Sequence, residues 1–227
     1  MSMLLLAAIA FVGTHFLLSH PLRAPLVRAL GERAFLGVYS AVAIATFAWM
    51  VVAYGSSPQT APVWLAGDGL WAVATVLMLV ASVLLAGSFV GNPAFPKLGA
   101  PHGVLGSARG VFAVTRHPML WSFAIWGFAH ILVYPIAKTF AIASAIMILS
   151  LVGAAFQDRK KERLQPDAWP AWERQTSYVP FAAIVAGRAR LGGFGPVALL
   201  GGLVIWLTAT WAHLPLSGWH AGIWRWL

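Results

Sequence analysis

The chain has 227 residues, of which 60% are hydrophobic and 9% charged. Soluble domains of this size carry about a quarter charged residues, so the composition excludes a water-covered globule and requires lipid around what is one domain by length. The formal charge of +9 does not signal nucleic acid, since the basic residues lie in short loops between apolar stretches, and the lack of cysteine excludes disulfides and thiolate ligands.

A bilayer core of roughly 30 Å needs about 17–25 apolar residues per helix. The first such stretch, 3–19, sits where a signal peptide would, yet no basic residue precedes it and no small-x-small cleavage site follows it. It is expected to remain as the first transmembrane helix. Spans two and three follow at 35–54 and 70–90, the latter ending in Gly87-x-x-x-Gly91, a weak signal for close helix contact. A loop rich in Pro and Gly then carries His102, expected to be solvated. Spans four (118–134) and five (136–156) meet at Tyr134-Pro135, a tight hairpin because proline cannot continue a helix ladder. A re-entrant hairpin is the alternative for that pair.

The largest soluble piece is the loop 157–195. Asp158 to Arg163 reads as a helical extension of span five, and Trp169 and Trp172, one turn apart, as anchors of a short interfacial helix. Span six covers 196–214. The expected fold is all-α, an integral membrane bundle of about six transmembrane helices.

Loop charge predicts its orientation. Arg23, Arg28 and Arg33 follow span one; Lys97, Arg109 and Arg116 follow span three; Arg159, Lys160, Lys161, Arg163, Arg174, Arg188 and Arg190 follow span five. The alternate loops hold only Lys138 and Arg225. This asymmetry places the basic loops in the cytoplasm and both termini outside, as in a multi-pass inner (plasma) membrane protein whose surroundings are the lipid bilayer.

Among seven histidines, His15 and His130 lie inside apolar spans, where an ionisable group is costly unless paired or ligated. A neutral imidazole hydrogen-bonded to a neighbouring helix is the purely structural alternative for each. Zinc requires three or four protein ligands, which two histidines do not supply. Haem requires one or two, because the porphyrin supplies the other four. His213 and His220 read as residues of the outer surface. A second feature is Thr115-Arg116-His117-Pro118 at the start of span four, with Pro118 suited to a first helical position. The exposed backbone N–H groups and the guanidinium there favour an anion, or Arg116 simply snorkels at the interface.

The segment from Thr115-Arg-His-Pro through Trp121 and Trp126 to His130 resembles the signature of the NnrU family of membrane proteins. So do His15 to Arg23, Leu30 to Phe35, Tyr39-Ser40 and Asp158 to Lys161. The resemblance implies a role in denitrification, in the production of nitrite and nitric oxide reductase activity, or the chemistry of plant relatives that are 15-cis-zeta-carotene isomerases. Those relatives bind haem b through two histidines. The ligand positions map onto His130 and, with a one-residue gap, His15, with His20 and His117 as the alternatives for the second. A cysteine implicated in the relatives maps onto Gly127. Arg109, Arg116 and His117 would face the haem propionates or a charged part of a hydrophobic small-molecule substrate, with Arg116 and His117 in the catalytic role.

Depth weighs on that ligand pair. His130 lies 14 residues from Arg116, roughly 20 Å along a helix, whereas His15 is only eight residues from Arg23. Straight spans would then separate the imidazoles by about 10 Å in depth. Two other functions remain open. Arg-His-Pro before a membrane helix, followed by Asp158, Glu162, Trp169, Trp172 and Val179-Pro180, also resembles isoprenylcysteine carboxyl methyltransferases, in which the motif contributes to binding S-adenosylmethionine. A non-catalytic maturation factor for denitrification would need no cofactor.

Overall fold

The computed structural model describes residues 1–95 and 106–227, so Lys97 and His102 lie outside the described residues. It is helical throughout, with no strand among the described residues. The order is α1 (Ser2–Ser19), α2 (Arg23–Leu30), α3 (Glu32–Ser56), α4 (Asp68–Ser88), α5 (Val111–Val114), α6 (Pro118–Val133), α7 (Ala137–Leu164), α8 (Ala168–Gln175), α9 (Ala182–Val185) and α10 (Pro196–Ser217), followed by a 3-10 turn at Gly222–Arg225.

Five helices, α1, α3, α4, α7 and α10, are long and apolar enough to cross a membrane. The expected fourth span is α6. It has 16 residues, roughly 24 Å, less than a bilayer core. Its neighbour α7 has 28 residues, because the charged run from Asp158 continues the helix as far as Leu164. Apolar side chains cover the outside of the bundle, with Ile44 69%, Val52 70% and Leu200 64% exposed. A face of that kind is stable against hydrocarbon and not against water, so the chain is a multi-pass membrane protein.

Small residues set the packing. α1, α3 and α7 share a core of Leu4, Ala7, Phe11, Met50, Ala53 and Ala145. α4 and α10 touch backbone to backbone, since a Cβ at Gly202 would lie 2.7 Å from Val83 Cα. α6 is wedged between α4 and α7, burying Ser122, Ala124, Gly127 and Ala129. Of the pair Gly87 and Gly91, Gly87 makes the close contact, against Val111 and Ala198, while Gly91 takes a positive φ of 65° in open space. Without a hydrophobic force between helices in lipid, such close approach is what holds them.

The helices alternate in direction, so the ends of α1, α4 and α7 gather with the starts of α3, α6 and α10. This basic end carries α2, α5, α8 and α9. The far end is pinned by Trp64, whose indole N–H donates to Leu132 O at 2.9 Å, and by Arg225, which pairs with Asp68 at 3.0 Å. The short helix expected around the two tryptophans is α8, but they do not anchor it in lipid. Trp169 is fully buried and Trp172 is 4% exposed, packed with Leu84, Val111 and Phe112. The indole N–H of Trp169 has a partner inside the protein, at Asp158, which draws α8 down onto the bundle.

Candidate functional site

At the basic end, the stretch leaving α5, Val114 to Arg116, lies alongside residues 177–181. Arg116 N donates to Ser177 O at 2.9 Å and Phe181 N to Val114 O at 2.8 Å. The hydroxyl of Thr115, fully buried, donates to Tyr178 O at 2.8 Å. This pairing fixes His117 as the N-cap of α6, with Pro118 at the first helical position, where its missing N–H costs nothing.

The anion expected at this helix start is supplied by the protein itself. Asp158, from α7, accepts from Arg116 Nε at 2.9 Å and Nη2 at 2.6 Å through one oxygen. Its other oxygen accepts from His117 Nε2 at 2.9 Å and Trp169 Nε1 at 3.3 Å. Arg116 also reaches Glu173 Oε1 at 3.2 Å. Because a carboxylate only accepts, His117 Nε2 carries a proton, and Nδ1, also buried, has no hydrogen-bond partner. Burial lifts the Glu173 carboxyl above its ordinary range, with Arg116 opposing and Asp158 and Glu162 assisting. Burial, aided by Asp158, likewise lifts the Tyr178 phenol. Tyr178 donates its O–H to Leu151 O at 2.6 Å, and its own carbonyl accepts from the Trp121 indole at 2.9 Å. Asp158 thus ties α7 to the start of α6 and to α8.

Arg109 stands elsewhere at this end. Its Nε donates to Ser107 Oγ at 2.9 Å. It lines a cavity of about 390 Å³ with Gly87, Val111, Trp172 and Phe194. The indole N–H of Trp172 is buried there with no hydrogen-bond partner.

The membrane histidines share one local geometry. His15 Nδ1 lies 2.6 Å from Phe11 O, and His130 Nδ1 lies 2.8 Å from Trp126 O, each four residues back on its own helix. A carbonyl accepts, so Nδ1 is protonated and Nε2 is left with its lone pair. That tautomer, held by a backbone carbonyl, is the one a metal-ligating imidazole adopts. The rings, however, face different neighbours. His15 packs on Phe11 at 4.5 Å and on Tyr39 of α3 at 5.6 Å. His130 packs on Trp126 at 4.2 Å and on His213 of α10 at 6.0 Å. His20 packs on Phe156 at 5.0 Å, and burial, with Lys160 and Arg163 nearby, lowers its pKa.

Depth separates the pair further. Phe16 lies against Gly153 of α7, whereas Gly127 of α6 lies against Ala143 and Met147. Those levels on α7 differ by six to ten residues, roughly 9–15 Å, and His130 lies beyond Gly127 on the side away from the basic end. The structure therefore brings Arg116 and His117 together, and it brings neither His15, Arg116 nor His117 to His130. Sequence reasoning passed over His213 because its position near a helix end read as surface. That His213 is the one titratable residue of α10 was the available signal.

The model of the family described as NnrU protein matches residues 3–221 of this chain. The chain belongs to the NnrU family. Among curated proteins, the maize (Zea mays) chloroplastic 15-cis-zeta-carotene isomerase is 36% identical over 84 residues. That match covers 36% of this chain and 22% of the isomerase. No solved structure matches. For this NnrU family member, the position where the resemblance puts a cysteine is closed: a Cβ on Gly127 would lie 2.7 Å from Met147 Cγ and 3.0 Å from Ala143 O.

Proposed function

We propose that this chain is a membrane-embedded isomerase that changes the double-bond geometry of a long apolar polyene, with a haem b held at His130. The observation that carries the reading is the match to a carotene isomerase within a family match spanning nearly the whole chain. The ring chemistry of His130 supports it: Nδ1–H is engaged by Trp126 O, which leaves Nε2 with its lone pair. Either His15 or His130 would be able to hold a haem through its Nε2 lone pair, but the two would not share one, because their rings face α3 and α10 respectively. When bound, the haem would supply a redox-active iron whose ligands and burial tune it.

The apolar outer faces of the bundle give a hydrophobic substrate access from the bilayer. The excess of positive charge supports a cytoplasmic position, at an inner membrane, for the basic end with Arg109 and the Arg116–His117–Asp158 cluster. Arg116 and His117 then act as positioning residues that fix the start of α6, and so the register of His130. The methyltransferase alternative asks the same two residues to bind a soluble donor, but their donors are directed to Asp158 and Glu173.

Cells making 15-cis-zeta-carotene in the dark test the proposal. Expression of the wild type converts the pigment to its 15-trans form, and His130→Ala reduces that conversion at least tenfold at equal protein level. Unchanged pigment in the wild type, combined with restored nitrite or nitric oxide reduction in a denitrifying strain lacking the gene, would replace this reading with the denitrification role.

A further inference from the structure

We propose that the cavity at the basic end, between the end of α4 and the start of α10, binds the phosphate of an anionic lipid head group through Arg109 and Trp172. The site does not use His130 and stands independently of the isomerase reading. Among the described residues lining the cavity, Arg109 alone is charged. Its Nε donates to Ser107 Oγ at 2.9 Å, which steadies the guanidinium, and among the described residues it has no ion-pair partner. The remaining N–H groups form the fork that suits two phosphate oxygens. Trp172 lines the same cavity, is 4% exposed, and holds a buried indole N–H with no hydrogen-bond partner. An indole nitrogen only donates, so this atom calls for an acceptor and not for a cation. Other arginines at this end are engaged: Arg116 by Asp158 and Glu173, and Arg188 by the carbonyls of Glu173, Arg174 and Thr176.

The walls indicate what carries the anion. Gly195, the N-cap of α10, lines the cavity, and this 22-residue helix begins there with N–H groups that no earlier carbonyl of the helix accepts from. Gly110 and Gly195 hold positive φ of 58° and 79°, so main chain forms that part of the wall and a ligand can approach it closely. The rest is largely apolar, with Val90, Val111, Phe112 and Phe194. A volume of about 390 Å³ falls among small-molecule sites, which span roughly 300–1,000 Å³, and exceeds what a bare oxyanion fills. An esterified phosphate suits it. Beside the cavity, Phe89, Val90 and Val197 are 59%, 53% and 55% exposed, an apolar surface on which acyl chains would lie. No carboxylate stands on the described wall, so the cation of a zwitterionic head group would find no partner there. The lipid is therefore a net anion, the class that basic pockets between membrane helices attract.

The test is a titration of the detergent-purified full chain with dioctanoyl phosphatidylglycerol, read by native mass spectrometry, with dioctanoyl phosphatidylcholine and inorganic phosphate as parallel arms. The wild type takes up one phosphatidylglycerol per chain and binds phosphatidylcholine, of equal chain length, at least about tenfold more weakly. Arg109→Gln weakens phosphatidylglycerol binding by about tenfold or more, and Trp172→Phe, which keeps a ring and loses the donor, by about threefold or more, each in protein as helical and monodisperse as wild type. Arg109→Lys loses less than Arg109→Gln. Arg190→Gln, which changes an exposed charge off the cavity wall, leaves binding within about twofold. Inorganic phosphate that binds as tightly as the lipid and displaces it would keep the anion site and overturn its assignment to a lipid. Equal uptake of the two lipids, a loss in Arg190→Gln as large as in Arg109→Gln, or a wild type that takes up neither lipid nor phosphate would overturn the site itself.

Discussion

Asp158→Ala removes the acceptor shared by four donors: Arg116 Nε and Nη2, His117 Nε2 and Trp169 Nε1. The Arg116 and Asp158 side chains are 13% and 8% exposed, so the guanidinium is left largely dry. Breaking a buried ion pair from one side costs about 3–5 kcal/mol. Arg116 keeps Glu173 at 3.2 Å, which puts the expected loss at the lower end, about 3 kcal/mol. At roughly 2–4 °C per kcal/mol for a chain of this length, the thermal midpoint in detergent falls by about 6–12 °C. Limited proteolysis within residues 165–195 accelerates in parallel, since α8 is held down through Trp169. The double variant Arg116→Met with Asp158→Leu recovers part of the loss, because no unpaired charge remains. A single variant within about 2 °C of wild type would refute the picture of one carboxylate organising the basic end.

Gly202→Ala should destabilise by about 1–3 kcal/mol, as its Cβ meets the Val83 backbone and the helices must part; Gly13→Ala, with open space around it, is the neutral control in the same melting assay. Glu173 titrates in the folded protein above its ordinary 4.5, so its contribution is fully present below that value and is lost as pH rises through the folded pKa. Thermal midpoints across about pH 4–7 should therefore show an acid-side gain that Glu173→Gln removes. An alkaline phosphatase fused after Leu227 should be active, and one fused in the loop after α7 inactive, if the positive charge sets orientation.

Much of the architecture is legible in the residues themselves. Apolar stretches of near-bilayer length, Pro118 at a helix start and Tyr134-Pro135 between helices mark the spans because lipid forces each backbone polar group to pair within its own segment. The fate of Trp169 and Trp172 is not legible, since an indole beside a basic loop suits an interface as well as a core. Burial is decided by Asp158, eleven residues away, whose carboxylate also supplies the anion that the Arg116–His117 helix start asks for. The histidines show the sharpest limit. Spacing along a chain reports depth within a helix, and the difference in depth between His15 and His130 is visible that way. Which neighbour a ring faces depends on helix rotation, and that rotation, set by contacts such as Gly127 on Ala143, turns His130 toward His213.

The most direct test of the central claim is the isomer composition of dark-grown 15-cis-zeta-carotene-producing cells, measured by chromatography with and without this chain. Conversion to the 15-trans isomer by the wild type, reduced at least tenfold in His130→Ala at matched membrane levels, is the predicted result. No conversion by haem-loaded wild-type protein would contradict it.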